Sequence, residues 1–144
     1  MKIQVIDNAG QIQQHLLSAD AEVAYYADEI QALNAAEQLQ PALILLNFSV
    51  RGSATADYTN LLISASPTSN VVIIGDNLHE QQILDCVMAG AKGYQNSSTL
   101  AEYIGRMIRA LAAGEAWLSR KLVANLIDAV QIIMPTSSLA GSVV

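Results

Sequence analysis

The chain has 144 residues, of which 52% are hydrophobic and 14% charged, and its formal net charge is −6. This length suits one domain with its own core, and the hydrophobic content excludes intrinsic disorder and suggests that some helix faces pack against a partner. The acidic charge argues against direct nucleic-acid binding by this chain, because such binding needs clustered positive charge.

Five short apolar segments of strand length alternate with segments of helical periodicity. The predicted strands are residues 2–6, 23–26, 42–46, 70–74 and 93–95. The five predicted helices are marked in turn by Ile12, Leu16 and Leu17, by Ile30, Leu33 and Ala36, by Leu61 and Leu62, by Ile83, Leu84, Val87 and Met88, and by Ile104, Met107, Ile108 and Leu111. Continuously apolar strands are typical of a parallel sheet covered on both faces. The sequence therefore predicts a flavodoxin-like (βα)5 doubly wound α/β fold with strand order 2-1-3-4-5.

A sixth helical pattern follows Gly114 and places apolar residues along one side, namely Leu122, Leu126, Val130 and Ile133. We therefore divide the chain into a core domain at residues 1–115, an extension helix at residues 116–134 and a flexible tail at residues 135–144. The apolar stripe must be covered by its own domain or by a second copy, and a homodimer is the economical solution.

In such a fold, functional residues are expected just after the carboxyl ends of the strands, beside the point where the strand order reverses. The residues at these ends are Asp7, Asn8, Asn47, Gly75, Asp76, Asn96 and Ser97. Most of them are neutral, so the predicted crevice is polar but poor in charge.

The stretches VIDN, PALILLNFSVRG, VVIIGD, AGAKGY and AAGEAWLSRKL resemble the receiver domain of bacterial response regulators, in the NarL/LuxR-type subfamily. The resemblance covers about residues 1–128, and AGAKGY with its following helix is the most specific part. Members of this subfamily usually carry a C-terminal helix-turn-helix, which this chain lacks. The sequence leaves open whether the chain acts alone or belongs to a longer regulator.

The resemblance assigns a role to six positions, which are occupied here by Asp7, Asn8, Asn47, Gly75, Tyr94 and Ser97. A phosphorylatable receiver needs an acidic pair for Mg²⁺, an acceptor aspartate, a hydroxyl residue, an aromatic switch and a lysine. Asn8 replaces one acid, Asn47 the acceptor, Gly75 the hydroxyl residue and Ser97 the lysine. Because an amide cannot form an acyl phosphate, we expect neither phosphorylation at residue 47 nor enzymatic activity.

Three further expectations concern this degenerate pocket. It is interpreted as a hydrogen-bonded polar plug without a metal, although Asp7 and Asp76 could instead share a Mg²⁺ ion. Deamidation of Asn47 is disfavoured because Phe48, and not a glycine, follows it. Tyr94 is expected to be locked, since no hydroxyl at residue 75 can draw it inward.

Trp117, Leu118, Ser119 and Arg120 form the sequence WLSR, which has two interpretations. It resembles the motif by which a subgroup of atypical receivers binds cyclic di-GMP, and arginine and tryptophan can both stack on guanine. Alternatively, it starts a linker helix, with Trp117 as a hydrophobic anchor and Ser119 as an N-cap.

Two functions follow from these observations. The first is a phosphorylation-independent signalling module that acts as a homodimer or through a protein partner. The second is a cyclic di-GMP-sensing domain of a transcriptional regulator, with nucleotide bound at WLSR. The single Cys86, the absence of a signal peptide and the lack of a membrane-spanning stretch predict a cytoplasmic protein that does not cross a membrane.

Overall fold

The computed structural model describes residues 1–16 and 21–133, whose centre is one parallel β-sheet. The strands are β1 (Lys2–Ile6), β2 (Glu22–Tyr26), β3 (Leu43–Asn47), β4 (Asn70–Gly75) and β5 (Gly93–Asn96). They pair in the order β2-β1-β3-β4-β5, and every pair is parallel. The predicted flavodoxin-like sheet is confirmed, and each strand lies within one residue of its predicted bounds.

Five α-helices accompany the sheet in the described residues. They are α1 (Glu29–Leu39), α2 (Thr55–Ala65), α3 (Glu80–Met88), α4 (Leu100–Ala112) and α5 (Arg120–Ile133). The helix α5 is the predicted C-terminal extension. The predicted tail at residues 135–144 lies outside the described residues.

The first predicted helix, placed on Ile12, Leu16 and Leu17, is wrong in the described residues. A 3₁₀ turn at Gln13–His15 replaces it, and Leu17 lies outside the described residues. The backbone N–H of Ile12 donates to the Asp7 carboxylate at 3.0 Å, so this side chain organises the segment instead of a helical ladder. Ile12 and Leu16 are nevertheless buried, and their spacing serves to anchor the segment in the core.

The core has two parts, one on each face of the sheet. On one face, Ala32, Ala36, Tyr58, Leu62 and Cys86 of α1, α2 and α3 pack against the strands. On the other face, Ile12, Leu16, Leu100, Met107 and Leu111 do so. Two of the residues that mark predicted helices, Ile30 and Leu61, point to solvent with 68% and 54% of their surface exposed.

The extension is attached to the edge strand β5 before it becomes helical. Trp117 forms a parallel bridge with Gly93, in which the Trp117 N–H donates to the Lys92 carbonyl at 2.9 Å. The Tyr94 N–H donates to the Trp117 carbonyl at 3.0 Å. The edge of the sheet is therefore covered by the chain's own continuation, which limits pairing with other strands there.

The helix α5 then packs against α3. The Asn125 amide donates to the Glu80 carboxylate, and Leu122, Leu126 and Val130 are half-buried. The predicted apolar stripe is thus partly covered by the same chain, while the side chain of Ile133 lies outside the described residues. Across the described ranges, we find no helix with the length and hydropathy needed to cross a membrane.

Candidate functional site

The candidate site lies where β1, β3 and β4 end. β1 and β3 are neighbours in the sheet, so the residues that follow Ile6 and Leu46 meet at one edge. Asn47 is the last residue of β3 and is 2% exposed. The fold therefore brings Asp7 and Asn47 into direct contact, as the sequence predicts for the carboxyl ends of parallel strands.

The Asn47 side chain is fully hydrogen-bonded. Its Nδ2 donates to Asp7 Oδ1 at 3.0 Å and to Gln11 Oε1 at 2.9 Å. Its Oδ1 accepts from the Ser49 N–H at 3.0 Å. An amide supplies both the two donors and the acceptor that these neighbours require, whereas a carboxylate would supply no donor.

The Asp7 carboxylate is also engaged by the loop that follows it. Oδ1 accepts from the Ala9 N–H at 2.9 Å, and Oδ2 accepts from the Ile12 N–H at 3.0 Å. The side chain therefore stabilises the turn between β1 and the 3₁₀ segment. This contact agrees with the interpretation of Asp7 as a residue that completes a polar plug.

Asn8 lies beside this pocket and closes it toward solvent. Its Oδ1 accepts from Ser49 Oγ at 2.6 Å, which links the loop after β1 to the loop after β3. Asn8 and Ser49 are both exposed, and neither carries a charge. The position that the resemblance assigns to a second acid is therefore part of a neutral cross-link between two loops.

Whether a metal binds at this pocket depends on its acidic side chains. Within residues 1–16 and 21–133, no group of three or more His, Cys, Asp and Glu side chains is arranged to hold a metal ion. Asp76 is exposed, and the Asp7 oxygens already accept from two backbone N–H groups and from Asn47. A Mg²⁺ ion shared by Asp7 and Asp76 stays a prediction that a titration can test.

Gly75 ends β4, and the side chain of Leu78 fills the space next to it. A Cβ atom at residue 75 would lie 2.7 Å from Leu78 Cγ. A hydroxyl side chain at this position would therefore require Leu78 to move. The Leu78 side chain therefore packs at the position that the resemblance assigns to a hydroxyl residue.

Tyr94 of β5 is held against the same loop. Its hydroxyl donates to the Gly75 carbonyl at 3.2 Å and accepts a longer bond from the Leu78 N–H at 3.4 Å. Burial raises the pKa of the Tyr94 hydroxyl, and the nearby Asp76 carboxylate raises it further. These bonds favour one position of the ring, and the absence of switching stays a prediction.

The lysine position is occupied by a neutral turn. Ser97 starts the 3₁₀ turn Ser97–Thr99, and the Asn96 Oδ1 accepts from the Ser98 N–H at 3.0 Å. Asn96 Nδ2 donates to Asn77 Oδ1 at 2.8 Å across the crevice. Amide–amide contacts therefore stand where an ammonium group would face a phosphoryl group.

The WLSR segment begins at Trp117, whose indole is half-buried beside β5. Its Nε1–H donates at 2.9 Å to Oε1 of Gln95, which is 6% exposed. The ring also packs against Tyr103 of α4, with 6.3 Å between ring centroids and 55° between ring planes. This geometry supports the interpretation of Trp117 as an anchor for the extension.

The next three residues start α5. Ser119 caps the helix, because its Oγ accepts from the Leu122 N–H at 3.1 Å. Leu118 is half-buried and Arg120 is exposed. The first turn of α5 is thus fixed by Trp117 and Ser119, whereas Arg120 is free to contact a ligand in solvent.

Gln11, Leu78 and Gln95 contribute to this region but are not among the residues predicted from sequence. Gln11 lies in a segment that the pattern assigns to a helix, so nothing in the sequence places it beside Asn47. The sequence pattern places Leu78 in a loop and Gln95 in a strand, and neither position indicates a role in a site. Each acquires its role from a partner that is 3 to 36 residues away in sequence.

The sequence of this chain is similar to those of known bacterial regulators. The chain is 30% identical over 93 residues to the transcriptional regulatory protein YxjL of Bacillus subtilis. The aligned region is 65% of this chain and 43% of that protein. It is 29% identical over 92 residues to the nitrate/nitrite response regulator protein NarL of Escherichia coli strain K12, covering 64% and 43% respectively. The chain thus spans less than half the length of these relatives.

The solved structures agree at the level of fold. A two-component response regulator of the LuxR family from Aurantimonas sp. SI85-9A1 superposes with a TM-score of 0.73 at 17% identity, over 88% of this chain and 95% of that one. No family model matches the sequence. The similar proteins are response regulators, and the fold of this chain is that of a receiver domain.

Proposed function

We propose that this chain is a receiver-type signalling domain whose output does not depend on phosphorylation of residue 47. It acts instead by dimerisation or by contact with a protein partner. The observation that carries the proposal is the Asn47 amide, which is buried and has every hydrogen-bonding group occupied by Asp7, Gln11 and Ser49.

The chemistry of phosphoryl transfer supports this proposal. Transfer to a receiver needs a carboxylate nucleophile together with positive charge around the phosphoryl oxygens. Here the nucleophile position is an amide, and the position assigned to an ammonium group is Ser97. The space for the hydroxyl residue is filled by Leu78. Each of these features acts against the reaction, and we propose that the domain has no enzymatic activity.

Incubation with acetyl phosphate and Mg²⁺, followed by intact-protein mass spectrometry, tests this directly. We expect no mass increase of one phosphoryl group, and no change in elution volume on a sizing column. The matched control is a phosphorylatable receiver domain treated in the same tube. Phosphate recovered on a peptide that contains residue 47 would overturn the proposal.

The proposed contact surface includes the outer side of α5. Val123 and Ile127 lie one turn apart on this helix and are 40% and 53% exposed. Light scattering on a sizing column is expected to give the mass of a dimer without any phosphodonor. Val123→Glu with Ile127→Glu is expected to shift the mass to that of a monomer, whereas Gln131→Glu on the same helix should leave it unchanged. A monomeric parent chain would favour a different protein as the partner.

A second candidate function is binding of cyclic di-GMP at WLSR. The observation that favours it is the exposure of Arg120, three residues after the half-buried Trp117, so that a cation and an aromatic ring both belong to this short segment. Light scattering with and without cyclic di-GMP tests it. A mass that doubles with nucleotide, and no longer does so in Arg120→Ala, would establish the nucleotide-sensing function.

The cellular role belongs to the same proposal. The relatives that this chain matches are regulators of transcription, so we propose that the domain serves a transcriptional pathway in the cytoplasm. We propose that the domain itself does not bind DNA, because its net charge of −6 disfavours the phosphate backbone. A gel-shift assay at low salt checks this last point, since low salt strengthens every charge-driven contact with DNA.

A further inference from the structure

A cavity of about 490 Å³ lies between α3, β5, α4 and the start of α5. Its walls include three half-buried aromatic rings, those of Tyr94, Tyr103 and Trp117, and Leu118 and Leu122 line its α5 side. A concave, mainly apolar site of this size with a few polar groups is typical of small-molecule binding sites. None of the residues that hydrogen-bond to the Asn47 side chain lines it, although Tyr94 of the degenerate pocket does.

We propose that this cavity binds a planar aromatic molecule that carries one acidic group, and that the bound molecule holds α5 against the domain. The aromatic walls account for the planar part of the ligand. Tyr103 and Trp117 meet at a tilted angle, so a flat ring can stack on one while it contacts the edge of the other. The proposal goes beyond the proposed signalling function, because it stands whether or not residue 47 can be phosphorylated.

The charges at the rim account for the acidic group. Lys121 and Glu80 both line the cavity. The Glu80 carboxylate accepts from the Asn125 amide, so it is already engaged by the protein. Lys121 is exposed and makes no salt bridge with any described residue. An anionic substituent would therefore find a free ammonium group at the rim, in spite of the overall negative charge of the chain, which salt screens beyond about 8 Å.

The effect on α5 follows from the position of the cavity. One wall is the start of α5, which includes Leu118 and Leu122, and the opposite walls belong to the core domain. A molecule that contacts both sides binds more tightly to the docked arrangement than to an undocked one. Binding therefore shifts the equilibrium toward docked α5, by the ratio of the ligand's affinities for the docked and undocked arrangements.

The first experiment uses 2-naphthoate as the probe, with its neutral analogue 2-naphthamide for comparison. The chain has one tryptophan, so its single indole N–H signal in a ¹H–¹⁵N NMR spectrum reports on the cavity directly. We expect a saturable shift of this signal with 2-naphthoate, and weaker binding of 2-naphthamide. Absence of a saturable shift at millimolar probe concentration would overturn the proposal.

Two pairs of variants locate the binding. Leu122→Phe fills the cavity and should weaken binding about tenfold or more, whereas Leu126→Phe, one turn later and outside the cavity, should not. Lys121→Gln should weaken 2-naphthoate about two- to fivefold, which is the range expected for a rim ion pair, and should leave 2-naphthamide unchanged. Arg120→Gln removes the same charge one residue earlier and should have no effect.

These pairs also separate this site from the nucleotide interpretation of WLSR. Cyclic di-GMP binding requires Arg120, while the cavity ligand requires Lys121. Equal loss of 2-naphthoate binding in Arg120→Gln and Lys121→Gln would contradict the proposal. Because both substitutions lie on the exposed first turn of α5, they test the proposal even if Leu122→Phe fails to fold.

Hydrogen exchange measures the second half of the proposal. Amide protons of α5 are expected to exchange at least threefold more slowly with saturating 2-naphthoate, while those of α1 keep their rates. Unchanged exchange in α5 at saturation would show that the ligand does not hold the helix, and would overturn that half.

Discussion

The Asn47 pocket and the cavity beside Trp117 lie near the same edge of the sheet, but they are built in opposite ways. At Asn47, each polar group of the side chain has a hydrogen-bond partner within the protein. Beside Trp117, one hydrogen bond to Gln95 fixes the indole, and about 490 Å³ of space remains between aromatic walls. The two regions therefore differ in how completely the protein's own side chains occupy them.

The difference has a physical cause. The Asn47 pocket contains one carboxylate, that of Asp7, among amide and backbone groups, and buried polar groups are most stable when they hydrogen-bond to one another. The cavity beside Trp117 lies instead between the core domain and the start of α5.

The largest effect is expected from Asn47→Asp, which tests how closed the first pocket is. A carboxylate there would face Asp7 Oδ1 and Gln11 Oε1, both of which are acceptors. We expect the free energy of unfolding to fall by about 2–4 kcal/mol at pH 7, from lost hydrogen bonds and charge repulsion. Urea denaturation measures the loss, with Asn60→Asp on the exposed side of α2 as the control.

The pH dependence of the same variant follows from the sign of the pKa change. Burial beside Asp7 would raise the pKa of the new carboxyl group in the folded state above its unfolded value of about 4. The folded state would then bind more protons, so the destabilisation should shrink as the pH falls from 7 toward 4. A loss of stability that is constant over this range would argue against a charged group facing Asp7.

The next effect in size concerns Gly93, which tests the attachment of the extension. A Cβ atom at residue 93 would lie 2.7 Å from the Trp117 carbonyl oxygen and 2.8 Å from Trp117 Cβ. We expect Gly93→Ala to cost about 1–3 kcal/mol and to expose the indole, with a red shift of tryptophan fluorescence. The control is Gly105→Ala on α4, where the nearest atom to an added Cβ would be the Nη1 of the Arg109 side chain at 3.4 Å and the helix should gain stability. An unshifted emission maximum in Gly93→Ala would contradict the described attachment.

Removing the N-cap of α5 should have a smaller and more local effect. Ser119→Ala deletes the acceptor for the Leu122 N–H and is expected to cost about 1 kcal/mol. Hydrogen exchange should become faster in the first turn of α5 and stay unchanged in the sheet. Ser64→Ala, on the exposed side of α2, serves as the matched control. Equal exchange rates in the two variants would mean that the cap does not fix α5.

The smallest effect is expected from Tyr94→Phe, which removes the bond that links β5 to the Gly75 carbonyl. Its cost at pH 7 should be about 0.5–1.5 kcal/mol. Burial raises the pKa of Tyr94, so unfolding is favoured as the pH rises above the unfolded value of about 10. The variant should therefore lose stability less steeply above pH 10 than the parent, as measured by urea denaturation. A parallel loss in both would show that Tyr94 does not contribute to the alkaline transition.

Sequence reasoning succeeded where the pattern was local. Strands such as residues 42–46 are short, apolar and bounded by turn residues, so their existence followed from the sequence pattern, and their order followed from the fold class that the alternation of strands and helices indicates. The predicted helix at Ile12 and Leu16 was wrong, because these two residues have helical spacing but anchor a loop in the core. The Asp7 carboxylate accepts a hydrogen bond from the backbone N–H of Ile12 and so competes with helix formation. The spacing of apolar residues gives no sign of this hydrogen bond.

The sequence by itself determined the sheet, its order and the residues that stand at the carboxyl ends of its strands. It also determined that residue 47 is an amide, and hence which chemistry we do not expect there. Only the tertiary structure decided that Gln11 and Ser49 saturate this amide, that Leu78 fills the space beside Gly75, and that α5 encloses a cavity with Trp117. The physical reason is that secondary structure depends on neighbours along the chain, whereas hydrogen-bond partners and empty volume depend on residues that folding brings together.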